Sequence, residues 1–372
     1  MKPDELNKRQ QLKDDYPFYA RNCLHIRTKE DGLCRFVLNS AQEYIHGKLE
    51  QQLEKEGRIR ALILKGRQQG ASTYVEGRFI HKTTHNKGKR AFILTHDSES
   101  TDALFEMTKR YYDNLPEFVK PVIAASNAKE LKFSLLDSGY KIGTAGNAEV
   151  GRGQTIQYFH GSEVGFWKNA ARLTKGVMQA VPKSGGSEII LESTANGVGN
   201  YFHKQWVAAE KGLSEFMPIF VPWYWQDEYR AEVKPGFIVT DEEKKLSELY
   251  GLEENQLQWR RFKIIELSAD GEDGEKAFKQ EYPMSSTEAF QVTGGGDMLI
   301  NSDACLKARK YEANGSGPLV VGVDPSRGGD RFTTINRQGR KMYGITSRVG
   351  DECNTLGKNV SFLKNILDTV CP

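Results

Sequence analysis

The residues best equipped for chemistry lie in one run, Lys65-Gly66-Arg67-Gln68-Gln69-Gly70-Ala71-Ser72-Thr73. In the standard phosphate loop, G-x-x-x-x-G-K-[ST], backbone amides cradle phosphates, a lysine neutralises them and the hydroxyl binds Mg2+. With Gly70 as the second glycine, Ser72 takes the hydroxyl position. Ala71 then stands where the lysine belongs, and Lys65 occupies the place of the first glycine. The pattern is degenerate, and a plain strand–turn–helix corner uses glycines in the same way. Context argues for the phosphate: an apolar strand precedes the run, a helix follows it, and Lys65 and Arg67 flank the turn. A helix N-terminus supplies anion-binding amides without any lysine.

Two later segments carry compatible chemistry. Ile156-Gln-Tyr-Phe-His-Gly-Ser-Glu163 is an apolar strand ending in an acid, about 90 residues past the loop. Such an acid polarises the water that attacks a γ-phosphate. An aspartate usually precedes it and helps hold Mg2+, whereas this sequence has Ser162. Glu163 is the candidate for positioning the water; the plain alternative is a strand-end glutamate, although strand C-ends are where α/β sites gather. In Ile189-Ile-Leu-Glu-Ser-Thr-Ala-Asn-Gly197, the hydroxyls of Ser193 and Thr194 are suited to sensing a γ-phosphate, and a simple strand-exit turn would use similar residues.

Two arginines, Arg67 in the loop and Arg152 in Gly151-Arg152-Gly153, are candidates for stabilising transition-state charge, a role worth about 10³–10⁵ in rate. Most arginines make surface ion pairs of small value. His160 reads as a satisfied structural histidine, since no second His or Cys lies at metal spacing. The group Trp223, Tyr224 and Trp225 reads as core packing or subdomain docking ahead of DNA contact.

The elements that must position these residues alternate. Strands are expected at Arg60–Leu64, Ala91–Thr95, Ile156–Phe159 and Glu188–Leu191, with a hairpin of Leu131–Leu136 and Tyr140–Thr144 around Asp137-Ser138-Gly139. Helices are expected from about Ser72 and over roughly Ser98–Asn114. Strands alternating with helices predict an α/β class with a mainly parallel sheet covered by helices. The first 55 residues read as helical, with Ile45, Leu49 and Leu53 at helical spacing. Residues 241–280 read as charged and helical. Thr293–Asp297 and Asn314–Pro318 bracket a connector, which puts a boundary near residue 316. The expected organisation is 1–55 as an N-terminal helical segment, 56–225 as the core, 226–316 as a helical subdomain and linker, and 317–372 as the beginning of a second domain.

Composition is that of an ordinary globular protein, 38% hydrophobic and 27% charged. No apolar run approaches the roughly 18 residues a membrane span needs, and the polar start is unlike a signal peptide. No membrane partner is expected, and the cytoplasm is the expected compartment. The cysteines Cys23, Cys34, Cys305, Cys353 and Cys371 form no CxxC pair, which argues against zinc and a disulfide framework. The net charge of +3 does not choose a partner. Residues 327–348 are locally basic, a stripe able to follow a phosphate backbone or simply a solvated face.

Taken together, these motifs resemble the large terminase subunit of tailed bacteriophages over about residues 35–225. Gln42 of LNSAQ, about 25 residues before the loop, is similar to the family's adenine-reading glutamine. KGRQQGAST resembles its altered loop with the lysine moved to the front, FHGSEVGFW its water-positioning motif with Ser-Glu for Asp-Glu, and ESTANGVGN its coupling motif. The resemblance implies an ATP-hydrolysing, Mg2+-dependent motor that moves double-stranded viral DNA into a procapsid. It also implies a homo-oligomeric ring at the portal protein, a small terminase subunit as partner, and the cytoplasm of the bacterial host.

The family's second half is a ribonuclease-H-like nuclease in which carboxylates hold two metal ions, Mg2+ or Mn2+. Val320-Val-Gly-Val-Asp-Pro-Ser-Arg-Gly-Gly-Asp330 resembles its first strand, with Asp324 as first metal ligand and Asp330 as a secondary one. Phe332–Ile335, Lys341–Ile345 and Ser361–Val370 would be the next strands and helix. About 56 residues follow the boundary, against the roughly 100–150 of a typical domain. The expectation is therefore a truncated, incomplete nuclease domain and no nuclease activity in this chain. The competing readings are a helicase-like DNA-dependent ATPase, disfavoured because no second motor domain follows, and an inactive prophage remnant.

Overall fold

The computed structural model describes residues 3–28, 32–127, 129–146, 155–183, 185–269, 273–291, 313–325, 331–348 and 350–370. It divides into two compact units, Met1–Ser302 and Asp303–Pro372. Thr293–Asp297, Arg152 and Asp330 lie outside the described residues.

The first unit is built on an eight-stranded sheet ordered β10-β3-β9-β8-β4-β7-β6-β5. Its strands are β3 (Ile59–Lys65), β4 (Arg90–Thr95), β5 (Ile123–Ser126), β6 (Glu130–Phe133), β7 (Ser138–Thr144), β8 (Tyr158–Gly161), β9 (Glu188–Ser193) and β10 (Met217–Val221). The six from β10 to β7 pair in parallel, while β6 and β5 close one edge antiparallel. Every residue of β3 and of β9 is buried. That is what a central parallel strand covered on both faces requires, and it explains the unbroken apolar run ALIL at 61–64.

Helices α3 (Ser40–Glu56), α4 (Ala71–His85) and α5 (Ser98–Asp113) pack with one core cluster that contains Ile45, Leu49, Tyr74, Phe79, Phe105 and Ile63. Helices α6 (Ala170–Ala180) and α7 (Tyr201–Glu210) pack into a second cluster with Leu62, Leu64, Phe159 and Leu191. Neighbouring positions of β3 thus feed opposite faces, as a strand's period of two dictates. α11 (Ser286–Gln291) adds Ala289 and Phe290 to the second cluster. A third, aromatic cluster joins Trp223, Tyr229, Phe278 and Tyr282, with Trp259 stacked 5.1 Å from Trp223; it lies among α8 (Asp241–Tyr250), α9 (Glu254–Leu267) and α10 (Gly274–Glu281). Trp223 is fully buried there, so its use is packing.

The N-terminal segment departs from the helical expectation. After α1 (Pro3–Asp14) and α2 (Tyr16–Cys23), β1 (His25–Thr28) and β2 (Gly32–Arg35) pair antiparallel before α3 begins. Gly32 has φ +68°, a conformation that glycine adopts without strain. The second unit holds three antiparallel strands, β11 (Leu319–Asp324), β12 (Phe332–Gln338) and β13 (Lys341–Arg348), followed by α12 (Leu356–Val370).

Candidate nucleotide site

The loop at 65–73 lies between the end of β3 and the start of α4, and its backbone is held from outside. Gly66 N donates to Val221 O at 3.1 Å and Arg67 N to Glu281 O at 2.9 Å. The Tyr229 hydroxyl donates to Arg67 O at 2.7 Å and Gln226 Nε2 to Gln68 O at 2.8 Å. The amide of buried Gln69 reaches Arg67 O at 3.3 Å. Gln68 has φ +54°, a strained value for a residue with a Cβ, and such strain gathers at functional sites when the surroundings over-determine it. Gly70, at φ +74°, is the N-cap of α4 and provides no side-chain cap. The N-terminus of α4 therefore begins with amides that a side chain does not satisfy, the arrangement that receives anions. Ala71 is buried as the first residue of the helix, Ser72 follows it, and Thr73 O accepts from the Tyr111 hydroxyl at 3.0 Å.

Gln42 sits behind this loop as the third residue of α3. Its Oε1 accepts from Asn39 N at 2.9 Å, closing a capping box, and its Nε2 donates to Gly70 O at 2.8 Å. The side chain thus ties the start of α3 to the turn, with one donor and one acceptor site remaining on the amide.

Glu163 follows β8 at φ +53°, ψ +47°, again a left-handed conformation in a residue with a Cβ. Its Oε1 accepts from Lys65 Nζ at 2.8 Å. Its Oε2 accepts from Thr194 N at 3.1 Å and from Ser193 Oγ at 3.3 Å. The three sequence motifs therefore converge on one carboxylate: the loop lysine, the strand-end acid and the hydroxyl pair after β9. Arg67 lies at the edge of this group, its side chain 60% exposed and paired with Glu281 at 2.9 Å. Burial raises the Glu281 carboxyl above its ordinary range, with Arg67 opposing.

A residue that none of the sequence motifs singles out stands at the centre. Glu192, fully buried in β9, has Lys65 Nζ 3.6 Å from its Oε2. Its Oε1 accepts from Ser162 Oγ at 3.1 Å and from Ser72 Oγ. His160, in β8, is fully buried between two acids: Nδ1 is 2.6 Å from Glu76 Oε1, and Nε2 is 3.3 Å from Glu192 Oε1 without hydrogen-bond alignment. Burial works against charge on this ring, but the Glu192 and Glu76 carboxylates outweigh it and push His160 up to about 9, so the ring holds its proton at neutral pH. Burial raises Glu76. Burial also opposes the charge of Glu192, yet Lys65 first and His160 next hold it well below the usual carboxylate range. For Lys65, Glu163 and Glu192 outweigh burial and hold the ammonium above the ordinary lysine value.

Of the remaining candidates, Asp324 ends β11 and is exposed. Among the described residues no group of three or more His, Cys, Asp or Glu is placed to hold a metal ion, and none of the described helices is long and apolar enough to cross a membrane.

Fold and site define an α/β protein whose mainly parallel sheet, flanked by helices, carries a glycine turn between β3 and α4. No protein-family model matches the chain. The solved structure of the HK97 bacteriophage large terminase matches it with a TM-score of 0.54 at 11% identity, over 90% of this chain and 67% of the other. Lower-scoring matches are the large terminase of a thermophilic bacteriophage in complex with ATP-gamma-S (TM-score 0.41, 8% identity, 90% and 73% covered) and a mutant of the large terminase ATPase domain of Thermus phage P74-26 (0.43, 14%, 68% and 94%). The fold is similar to that of the HK97 large terminase.

Proposed function

We propose that the chain is the ATP-hydrolysing motor of viral DNA packaging, a terminase large subunit that drives double-stranded DNA into a procapsid. The observation that carries this reading is the 2.8 Å contact between Lys65 and Glu163 beside the uncapped N-terminus of α4. A cation for phosphate, amides for phosphate and a carboxylate for water meet at the ends of parallel strands, where α/β sites form.

In this reading the amides from Gln68 to Thr73 and the Lys65 ammonium bind the phosphates. Glu163, held on one oxygen by Lys65 and on the other by Ser193 and Thr194, orients the attacking water and takes up its proton. Ser193 and Thr194 feel the change at Glu163 when the phosphate leaves. The remaining donor and acceptor of Gln42 match the N6 amino group and N7 of adenine, the edge that an amide reads in pairs. Arg67 and Arg152 are the candidates for stabilising transition-state charge. The Ser72 hydroxyl, beside a buried carboxylate, suits the oxygen-rich ligation that Mg2+ requires. When bound, that ion neutralises charge on the β- and γ-phosphate oxygens.

The partners in this reading are double-stranded viral DNA, a small terminase subunit, the portal protein and further copies of the chain in a ring, in the cytoplasm of the bacterial host. Residues 56–225 form the ATPase core, 1–55 its N-terminal segment, 226–316 a subdomain and linker, and 317–372 part of a ribonuclease-H-like domain with Asp324 and Asp330 as its acids. The deciding experiment measures DNA-stimulated ATP hydrolysis. Glu163→Gln is expected to abolish turnover while leaving ATP binding intact. A wild type that shows no hydrolysis with DNA and partner subunits present overturns the motor reading.

A further inference from the structure

A water-positioning glutamate usually has an acid immediately before it, and here that place holds Ser162, whose hydroxyl carries no charge. The sheet register shows where a charge is instead. Strands β8 and β9 pair with Tyr158 beside Glu188 and Gly161 beside Leu191. One step further along the same parallel register, Ser162 lies beside Glu192, and the Ser162 hydroxyl donates to Glu192 Oε1 at 3.1 Å. The missing carboxylate stands one strand over, at the same height in the sheet.

We infer that Glu192 is the positioning residue for the metal of the nucleotide site, directing the Ser72 hydroxyl so that its lone pairs face the cation. A serine hydroxyl has one proton and two lone pairs. In this structure the proton is committed to Glu192 Oε1, so only lone pairs remain for a hard cation at the loop. The second oxygen, Oε2, is buried and accepts no hydrogen bond, although Lys65 lies 3.6 Å away. A buried carboxylate oxygen left without a donor costs free energy, and a water on the bound cation is a donor of the right chemistry. Lys65 lies on one side of Glu192 and the His160 ring on the other. A core ion pair with no other duty would not need two serine hydroxyls, one of them from the phosphate loop, on a single oxygen.

This inference rests on the ATPase reading, and its test separates the two. The affinity of ATP-gamma-S is measured by calorimetry with and without Mg2+, and Mn2+ bound with the nucleotide is followed by electron paramagnetic resonance. In the wild type, Mg2+ is expected to tighten binding. Glu192→Gln is expected to lower the affinity for the cation in the nucleotide complex roughly 10–100-fold, measured against the same variant's metal-free nucleotide affinity, the usual effect of removing a residue that orients a metal ligand. Ser162→Asp in the Glu192→Gln background, which returns an acid to the place beside Glu163, is expected to recover much of the loss. If Glu192→Gln fails to fold, Glu192→Asp keeps the charge for Lys65 and His160 but draws it back from Ser72 by one methylene, and the same measurement applies. A wild type that binds no nucleotide overturns the ATPase reading and this inference with it. Wild-type metal dependence that persists unchanged in the Glu192 variant overturns this inference alone.

Discussion

Replacing Gly70 by alanine tests whether the turn before α4 and the start of α3 are one mechanical unit. Gly70 has φ +74°, and a Cβ built there would lie 2.5 Å from Gln42 Nε2 and 3.3 Å from Gln42 Cδ. The left-handed conformation alone costs a non-glycine residue about 1–2 kcal/mol. The clash adds to this, because the Gln42 amide must swing away and give up its bonds to Gly70 O and Asn39 N. At about 0.5–1.5 kcal/mol each, those bonds are worth about 1–3 kcal/mol together, so Gly70→Ala is expected to destabilise by about 2–5 kcal/mol. Gln42→Ala forfeits the same two bonds and is expected to cost about 1–3 kcal/mol by that estimate. The double variant loses them only once. Its cost should match that of Gly70→Ala, a departure from additivity of about 1–3 kcal/mol. All 5 tryptophans (Trp167, Trp206, Trp223, Trp225 and Trp259) lie in Met1–Ser302, so urea unfolding followed by their fluorescence reports this unit alone. Additive costs, or a Gly70→Ala loss no greater than the left-handed penalty, would show that Gln42 does not brace the turn.

Four further outcomes are expected. The His160 ring, raised to about 9 from an ordinary 6.5, gives stability that is complete below pH 6.5 and lost as pH rises through about 9; His160→Gln should flatten that alkaline decline in urea melts, and an unchanged slope refutes the buried imidazolium. A Cβ on Gly77 would lie 2.5 Å from the hydroxyl of buried Tyr16 and 3.1 Å from Leu24 Cδ1, so the overpacking cost of about 1–3 kcal/mol should exceed the roughly 1 kcal/mol helix gain, and a Gly77→Ala protein more stable than wild type would contradict it. Arg67→Ala, which leaves the largely buried Glu281 carboxylate without its ion-pair partner, should lower the rate of ATP hydrolysis about 10³-fold if Arg67 meets transition-state charge; an unchanged turnover number removes it from that role. The purified chain should leave plasmid DNA intact in Mg2+ or Mn2+, and cutting that disappears in Asp324→Ala would reverse this.

The central fold is legible in the sequence because fully buried parallel strands are written as apolar runs. ALIL at 61–64 and AFILT at 91–95 have few other uses, and the structure extends them only to Ile59–Lys65 and Arg90–Thr95. The strand expected at Ile156–Phe159 instead runs Tyr158–Gly161, since its ladder with β4 pairs Tyr158 with Ala91 and Gly161 with Leu94. His160 and Gly161 carry no strand signal of their own; neighbours on both sides impose it. The β1–β2 pair is hidden for the opposite reason. Its four-residue strands are short and hold no buried residue, so neither a period nor an apolar run marks them, and the Asp31-Gly32 dipeptide is the sole hairpin signal.

For the site, the sequence displays what each motif contains but not which residues share an oxygen. Lys65, Glu163, Ser193 and Thr194 are readable because each stands at or just past the end of an apolar strand. Glu192 ends the same strand as Ser193, yet a single glutamate next to two hydroxyl residues looks like the solvent side of a strand exit. Its burial follows from being flanked by β3, where Ile63 pairs with it, and by β8, where Gly161 pairs with the preceding Leu191, and burial turns an ordinary acid into a charge that must be met. Lys65, His160, Ser72 and Ser162 meet it, and they come from positions as much as 127 residues earlier in the chain. His160 illustrates the same point from the other side. A lone histidine reads as structural, and it is fully enclosed, but the acids on its two nitrogens, Glu76 and Glu192, come from α4 and β9. The ring is thereby part of the electrostatic surroundings of Lys65 and the loop at 65–73, a place fixed by strand order and not by spacing along the chain.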